Sequence, residues 1–370
     1  MISLLLFACD GDKVLDDTGV VATDDLQVES LGSFSTGDTG GYLEDITYTV
    51  PDGAASSLLY CGTFGDSTLG SLWYLTEPDG TQIYDGDGTS NTFRASFLDD
   101  AVPVLNPITP DLPLQNGAYT ASIWLGGGQS KTVDCEAVYK VANVGNSATV
   151  QLELVFVGVP GLDATSAKDD ADFQAAIAQL ETEWATAGIT VSTIYTDFDG
   201  NADTYAVVNV SGDDYSEFND LLRTSNPAGD KAISIFLVEE LSIDGDTVLG
   251  LAAGPPGAAT LHGTSKSGAI ITTIDLASAP EDVGKIIAHE AGHFLGLYHT
   301  SEKTGETHDP ISDTPQCPAS ADTDGNGTVN TSECSGQGAE NVMWWTLTDG
   351  DAELSGDQGW VLRRNPVAGG

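Results

Sequence analysis

His289-Glu290-Ala291-Gly292-His293-Phe294-Leu295-Gly296-Leu297-Tyr298-His299 decides how the larger part of this chain folds. His289 and His293 stand four residues apart, so on a helix their rings leave one face, about 40° apart around the axis. Two neutral imidazoles placed that way can share one Zn2+. Glu290, beside His289, then reaches a water at the metal without being a ligand. Gly296 tolerates the positive φ that ends a helix, and the chain can turn back to bring His299 to the same ion. Three protein ligands leave a fourth position open, the arrangement of a catalytic rather than a structural zinc.

At 370 residues the chain has room for two or three domains. Its formal net charge is −44, from 56 acidic against 12 basic residues. Such a chain repels nucleic acid and anionic membrane surfaces, which excludes both as partners. A hydrophobic content of 40% is that of a globular protein. Leu6-Phe-Ala-Cys9 looks like a bacterial lipobox, in which the cysteine is lipidated, and the apolar run before it is too short to span a bilayer. Residues 1–40 accordingly read as a truncated lipoprotein-type signal and an acidic tether, with membrane contact only through an anchor at Cys9. The expected location is outside a bacterial cell, as an envelope lipoprotein or a secreted protein. The other four cysteines allow three pairings, and proximity within the expected domains favours Cys61–Cys135 and Cys317–Cys334. An oxidising compartment suits them.

Residues 41–146 alternate short apolar runs, such as Ile46-Thr-Tyr-Thr-Val50 and Tyr119-Thr-Ala-Ser-Ile-Trp124, with turn residues, which predicts an all-β sandwich domain. The period changes near residue 147. Val150–Val157 reads as a strand, and Phe173, Ile177, Leu180 and Trp184 recur at helical spacing up to Gly188. Further strands are expected at 189–195, 232–238 and 269–275. Gly250–Gly254, followed by Pro255-Pro256, suits an edge strand free to pair with an extended peptide. Ser278-x-x-Glu281 reads as a capping box, with Pro280 in the first turn of the histidine helix. Ser355-x-x-Gln358 opens a closing helix. Residues 147–370 thus predict a mixed α/β domain.

Downstream of His299 stands Met343, in Glu340-Asn-Val-Met-Trp-Trp345. With it the chain resembles the metzincin zinc endopeptidases, and within them the pappalysin family. The resemblance rests on His289–Thr300, on Asp309-Pro-Ile-Ser-Asp313-Thr-Pro315 before Cys317, and on Asn341-Val-Met343; it covers roughly residues 148–366. It implies an α/β (α+β) catalytic domain with a mixed twisted sheet and a zinc helix. It also implies zinc on His289, His293 and His299, Glu290 as general base, Met343 in a Met-turn under the metal, and Ca2+ on Asp309 and Asp313. Trp345 departs from the tyrosine that relatives often carry there.

Between Cys317 and Cys334, Asp322-Thr-Asp-Gly-Asn-Gly-Thr-Val-Asn-Thr-Ser-Glu333 follows the twelve-residue EF-hand loop. Asp322, Asp324, Asn326, Thr328, Asn330 and Glu333 are its expected Ca2+ ligands. The expected activity is zinc-dependent cleavage of protein or peptide substrates bound in extended form, with Glu290 taking a proton from water and passing it to the leaving amine. The competing expectation is a non-catalytic surface binding protein, in which a zinc- and calcium-stabilised scaffold carries the β-sandwich.

Overall fold

A computed structural model describes residues 25–36, 41–62, 70–86, 93–95, 101–126, 132–212, 214–348 and 350–370, and the backbone alone of 14–15 and 20–22. Cys9, the expected lipidation site, lies outside the described residues. Strands occupy the first part: β1 (Val14–Leu15), β2 (Val20–Ala22), β3 (Leu26–Ser35), β4 (Ile46–Val50), β5 (Ser56–Gly62), β6 (Gly70–Thr76), β7 (Gln82–Asp85), β8 (Ala101–Asn106), β9 (Gly117–Leu125) and β10 (Thr132–Lys140). They pair antiparallel in two sheets, ordered β1-β2-β3-β10-β5-β8 and β4-β9-β6-β7. In β4 the alternation is strict: Ile46, Tyr48 and Val50 are buried, while Thr47 and Thr49 are exposed. Tyr48 of β4 and Leu58 of β5 belong to one buried cluster, so the sheets meet through their inward faces. Cys61 and Cys135 sit directly opposite each other on β5 and β10 and are disulfide-bonded.

One expectation needs correcting here. Residues 26–35, expected inside the acidic tether, form β3 and pair along β10. Acidic neighbours hide a short apolar alternation, in which Leu26 is buried and Val28 packs against the core. Asp25, just before it, pairs with Lys231 of the second part.

The second part runs through β11 (Ala148–Val157), α1 (Ala171–Ala185), β12 (Ile189–Asp197), α2 (Ala202–Tyr205), β13 (Val207–Val210), α3 (Ser216–Leu222), β14 (Ile233–Val238), β15 (Glu240–Ile243), β16 (Asp246–Thr247), β17 (Gly250–Ala252), β18 (Ala269–Thr272), α4 (Pro280–Phe294) and α5 (Gly356–Arg364). Its main sheet is ordered β12-β11-β14-β18-β17, parallel except for the antiparallel edge strand β17. The chain is therefore a mixed α+β protein. Strands covered on both faces read as apolar runs, and β14 is buried along its whole length. Helix α1 buries Phe173, Ile177, Leu180 and Trp184, as their spacing predicts, and Trp184 Nε1 donates to Ala288 O of α4 at 3.2 Å.

The expected capping box before α4 does not form. Pro280 takes the first helical position, so Ala279 becomes the N-cap, and the Ser278 hydroxyl donates instead to Asp275 O. The box before α5 does form, with Ser355 and Gln358 bonded reciprocally.

Buried side chains of both parts make one contiguous cluster. Lys140, at the end of β10 and almost fully buried, donates to the carbonyls of Arg363 at 2.8 Å and Asn365 at 3.2 Å, and to that of Ala368. Asn365 Nδ2 in turn donates to Leu295 O, at the end of α4, at 3.1 Å. Replacing Lys140 by Met orphans those carbonyls and should lower stability by about 2–4 kcal/mol. Urea denaturation checks this, and an unchanged midpoint would mean that the lysine is not a clamp.

Candidate metal centre and its cleft

Helix α4 carries His289 and His293 one turn apart, with Glu290 between them and buried. The helix ends at Gly296, whose φ of +103° suits glycine alone; a Cβ there would also lie 2.5 Å from Leu105 Cδ2. The chain then reverses and places His299 Nε2 3.3 Å from His289 Nε2 and 3.1 Å from His293 Nε2.

Each ring is oriented by its other nitrogen. His289 Nδ1 donates to Val342 O at 2.7 Å, His293 Nδ1 to Leu297 O at 2.8 Å and His299 Nδ1 to Glu302 Oε2 at 2.8 Å. Carbonyls and carboxylates only accept, so all three Nδ1 atoms carry a proton, and a ring that is neutral presents its Nε2 lone pair to the others. Burial pushes the Glu302 carboxyl up, but its bond to His299 and the charge of Arg94 outweigh this and leave it below its usual value. Burial, with the neighbouring rings, holds His289 down at about 4 and His293 well below its ordinary value, so both are neutral.

Bare Nε2 atoms aimed at one point repel one another. A cation resolves this. Tetrahedral ligands about 2.05 Å from Zn2+ stand about 3.3 Å from one another, close to the separations found here. The donor set fits that metal.

Glu290 faces the edge strand. Burial pushes its carboxyl up to about 8, against the opposing pull of the Ala252 N–H of β17. Gly250 permits this approach, since a Cβ there would stand 2.7 Å from Glu290 Cγ. Beside it opens a cleft of about 310 Å³, lined by Gly250, Ile286, His289, Glu290, Val342 and Trp345 among others.

Met343 is fully buried under α4, its Sδ 2.6 Å from where a Cβ on Gly292 would lie. Asn341 Oδ1 accepts from Met343 N at 2.8 Å, and the Asn341 and Gln358 amides bond reciprocally at 2.8 and 3.0 Å. Helix α5 thereby holds the turn that presents Val342 O to His289. Trp345 borders the cleft, with Nε1 donating to Val329 O at 3.0 Å.

The second acidic group gathers Asp322, Asp324 and Glu333, whose oxygens lie within 4.8 Å of one another. Asp322 accepts from the N–H groups of Gly325, Asn326 and Gly327, and Glu333 Oε1 from Thr323 N. Asn326 Oδ1 accepts from Thr328 N and Asn330 Oδ1 from Ser332 N, so both amides cap the loop's own turns. The Cys317–Cys334 disulfide closes this segment. Asp309 and Asp313 join no group of three such ligands among the described residues. Asp309 is buried, which pushes its carboxyl up to about 7, and accepts from Thr314 Oγ1. Asp313 accepts from Ser355 Oγ and Asp357 N at the start of α5.

No protein-family model matches the sequence, and no curated protein matches it. Among solved structures, metalloproteinase-II from Bacteroides fragilis aligns at 16% identity over 48% of this chain and 58% of that one, with a TM-score of 0.29. A xylanase 10C mutant from Cellvibrio japonicus aligns at 8% identity over 60% of this chain and 39% of that one, with a TM-score of 0.18. Likenesses at this level carry no argument about fold or activity, and this chain spans 58% of the metalloproteinase's length.

Sequence reading missed Glu302, and it named Gln358 only as a helix-capping residue and Gly250 only as part of an edge strand. An acid three positions past a loop histidine was the available signal for Glu302. Chelator-stripped protein should take up one Zn2+, and Zn2+ at about 1,000 times its Kd should add about 4 kcal/mol of stability. His293→Ala should lose both effects in calorimetry; equal stabilisation of that variant would place the metal elsewhere.

Proposed function

We propose that this chain is an exported zinc-dependent endopeptidase of metzincin-like, pappalysin-like type. The observation that carries the reading is the convergence of three imidazole lone pairs beside a buried carboxylate, at a cleft bordered by a sheet edge. An extended peptide adds to the outer edge of β17 through main-chain hydrogen bonds and turns one side chain into the cleft. Zinc, when bound, supplies Lewis acidity toward the scissile carbonyl and toward water. Glu290 does the proton work: it takes a proton from the attacking water and returns it to the leaving amine. Its low exposure and the Ala252 N–H keep the carboxylate aimed and shielded from bulk water. Gly250 lets the peptide-binding edge lie against it.

Calcium on Asp322, Asp324 and Glu333, with Asn326, Asn330 and the Thr328 carbonyl, belongs to the same reading. Gathered carboxylates repel one another, and a divalent cation with oxygen ligands relieves that. Val329 in this loop holds Trp345 through its carbonyl, so calcium steadies one wall of the cleft. A lipid anchor at Cys9 and the two disulfides suit a protein exposed at a cell envelope.

A second reading, a non-catalytic binding protein, is favoured by Trp345, whose indole N–H is already engaged and offers the cleft no hydroxyl. Glu290→Ala separates the two. The variant should keep its zinc while cleavage of a quenched-peptide library falls by roughly 10²–10⁴-fold. Wild-type protein that cleaves nothing at full zinc occupancy supports the binding reading instead. For calcium, Asp322→Ala combined with Glu333→Ala should abolish the rise in Tm on adding Ca2+; persistence of the rise assigns it to another site.

A further inference from the structure

We propose that Arg94, from the strand-rich first part, is a positioning residue for the metal centre, acting on His299 through Glu302. The inference rests on reading His289, His293 and His299 as metal ligands.

The three rings are not held equally. His289 and His293 ride on α4, whose backbone is fixed by its own hydrogen bonds, and each is oriented by a main-chain carbonyl. His299 follows the helix, and its Nδ1 partner is a side chain, Glu302. A glutamate rotates about three bonds, so it orients a ring only if something orients the glutamate.

Arg94 is that group. Its Nη2 stands 3.4 Å from Glu302 Oε1, leaving Oε2 for His299. Its Nη1 donates to His308 O at 3.2 Å, and its guanidinium lies 4.3 Å from the centroid of the Tyr298 ring. Residues 301 and 308 pair, and Glu302 N donates to Thr307 O at 2.8 Å, so the segment after His299 doubles back on itself. One side chain thus touches the residue before the ligand, the carboxylate that orients it and the far end of the returning segment. Phe93, fully buried beside it and 6.1 Å from the Tyr84 ring, anchors the arm in the strand-rich part. Tyr298 in turn donates to Pro255 O at 3.2 Å, just past β17.

The planar fork explains the residue type. Arginine can stack on a ring while donating in two directions, whereas a lysine ammonium keeps the charge and loses the stack. The first part of the chain therefore contributes to the metal site itself, not only to the shared core.

The test measures Zn2+ affinity of the full chain by competition with a chromophoric chelator, together with the visible absorption of the Co2+-loaded protein. Glu302→Ala should weaken Zn2+ by roughly 10–100-fold, as loss of a direct ligand partner does. Arg94→Ala should weaken it by roughly 3–10-fold and alter the Co2+ bands, being one step further removed. Arg94→Lys should recover only part of the loss. The double variant should bind no more weakly than Glu302→Ala alone, because Arg94 acts through that carboxylate. Wild-type affinity and an unaltered Co2+ spectrum in Arg94→Ala overturn the inference, as do additive losses in the double variant. Absence of Zn2+ binding by the wild type sinks the metal reading together with it.

Discussion

Three imidazole nitrogens with their lone pairs turned to one point are tolerable neighbours only around a cation. That constraint organises the second part of this protein. Each ring has its Nδ1 held by an acceptor, and the acceptors come from separate places: the Met343 turn, the end of α4 and Glu302. The fold supplies a rigid helix for two rings and a reversal at Gly296 for the third. His289 and Glu290 both line the cleft beside that point.

Much of this was legible in the chain because it is local. Histidines four apart on a helix must share a face, and the glycine after them marks where the helix stops. The buried stripe of α1, the strands around it and the capping box of α5 follow from period and turn chemistry in the same way. Both disulfides join the cysteines that proximity paired. The pattern before α4 misled because Pro280 competes with Ser278 for the register of the first turn, and the proline ring wins. β3 was hidden because a strand at a sheet's outer region needs few apolar residues to pair.

The less legible layer is the one that orients the ligands. Gln358 holds Asn341 from 17 residues away, and Arg94 meets Glu302 across 208 residues. No local period records such meetings; they exist only once the sheets and helices of the two parts are packed. The same holds for Leu105 against Gly296, where a strand of the first part closes over the turn that delivers His299. Ligand identity is written in short spacing, and ligand orientation in long-range packing.

The route of these supports through the chain has a consequence for biosynthesis. A ribosome that has released residues up to His299 has already exposed all three histidines and Glu290. Such a nascent chain still lacks Val342, Met343 and the α5 amide that steadies them, so its first ring is not yet held. Orientation of the first ring therefore trails translation of the three histidines and coincides with docking of α5. By this ordering, half-made copies carry the three histidines without the groups that orient the first of them.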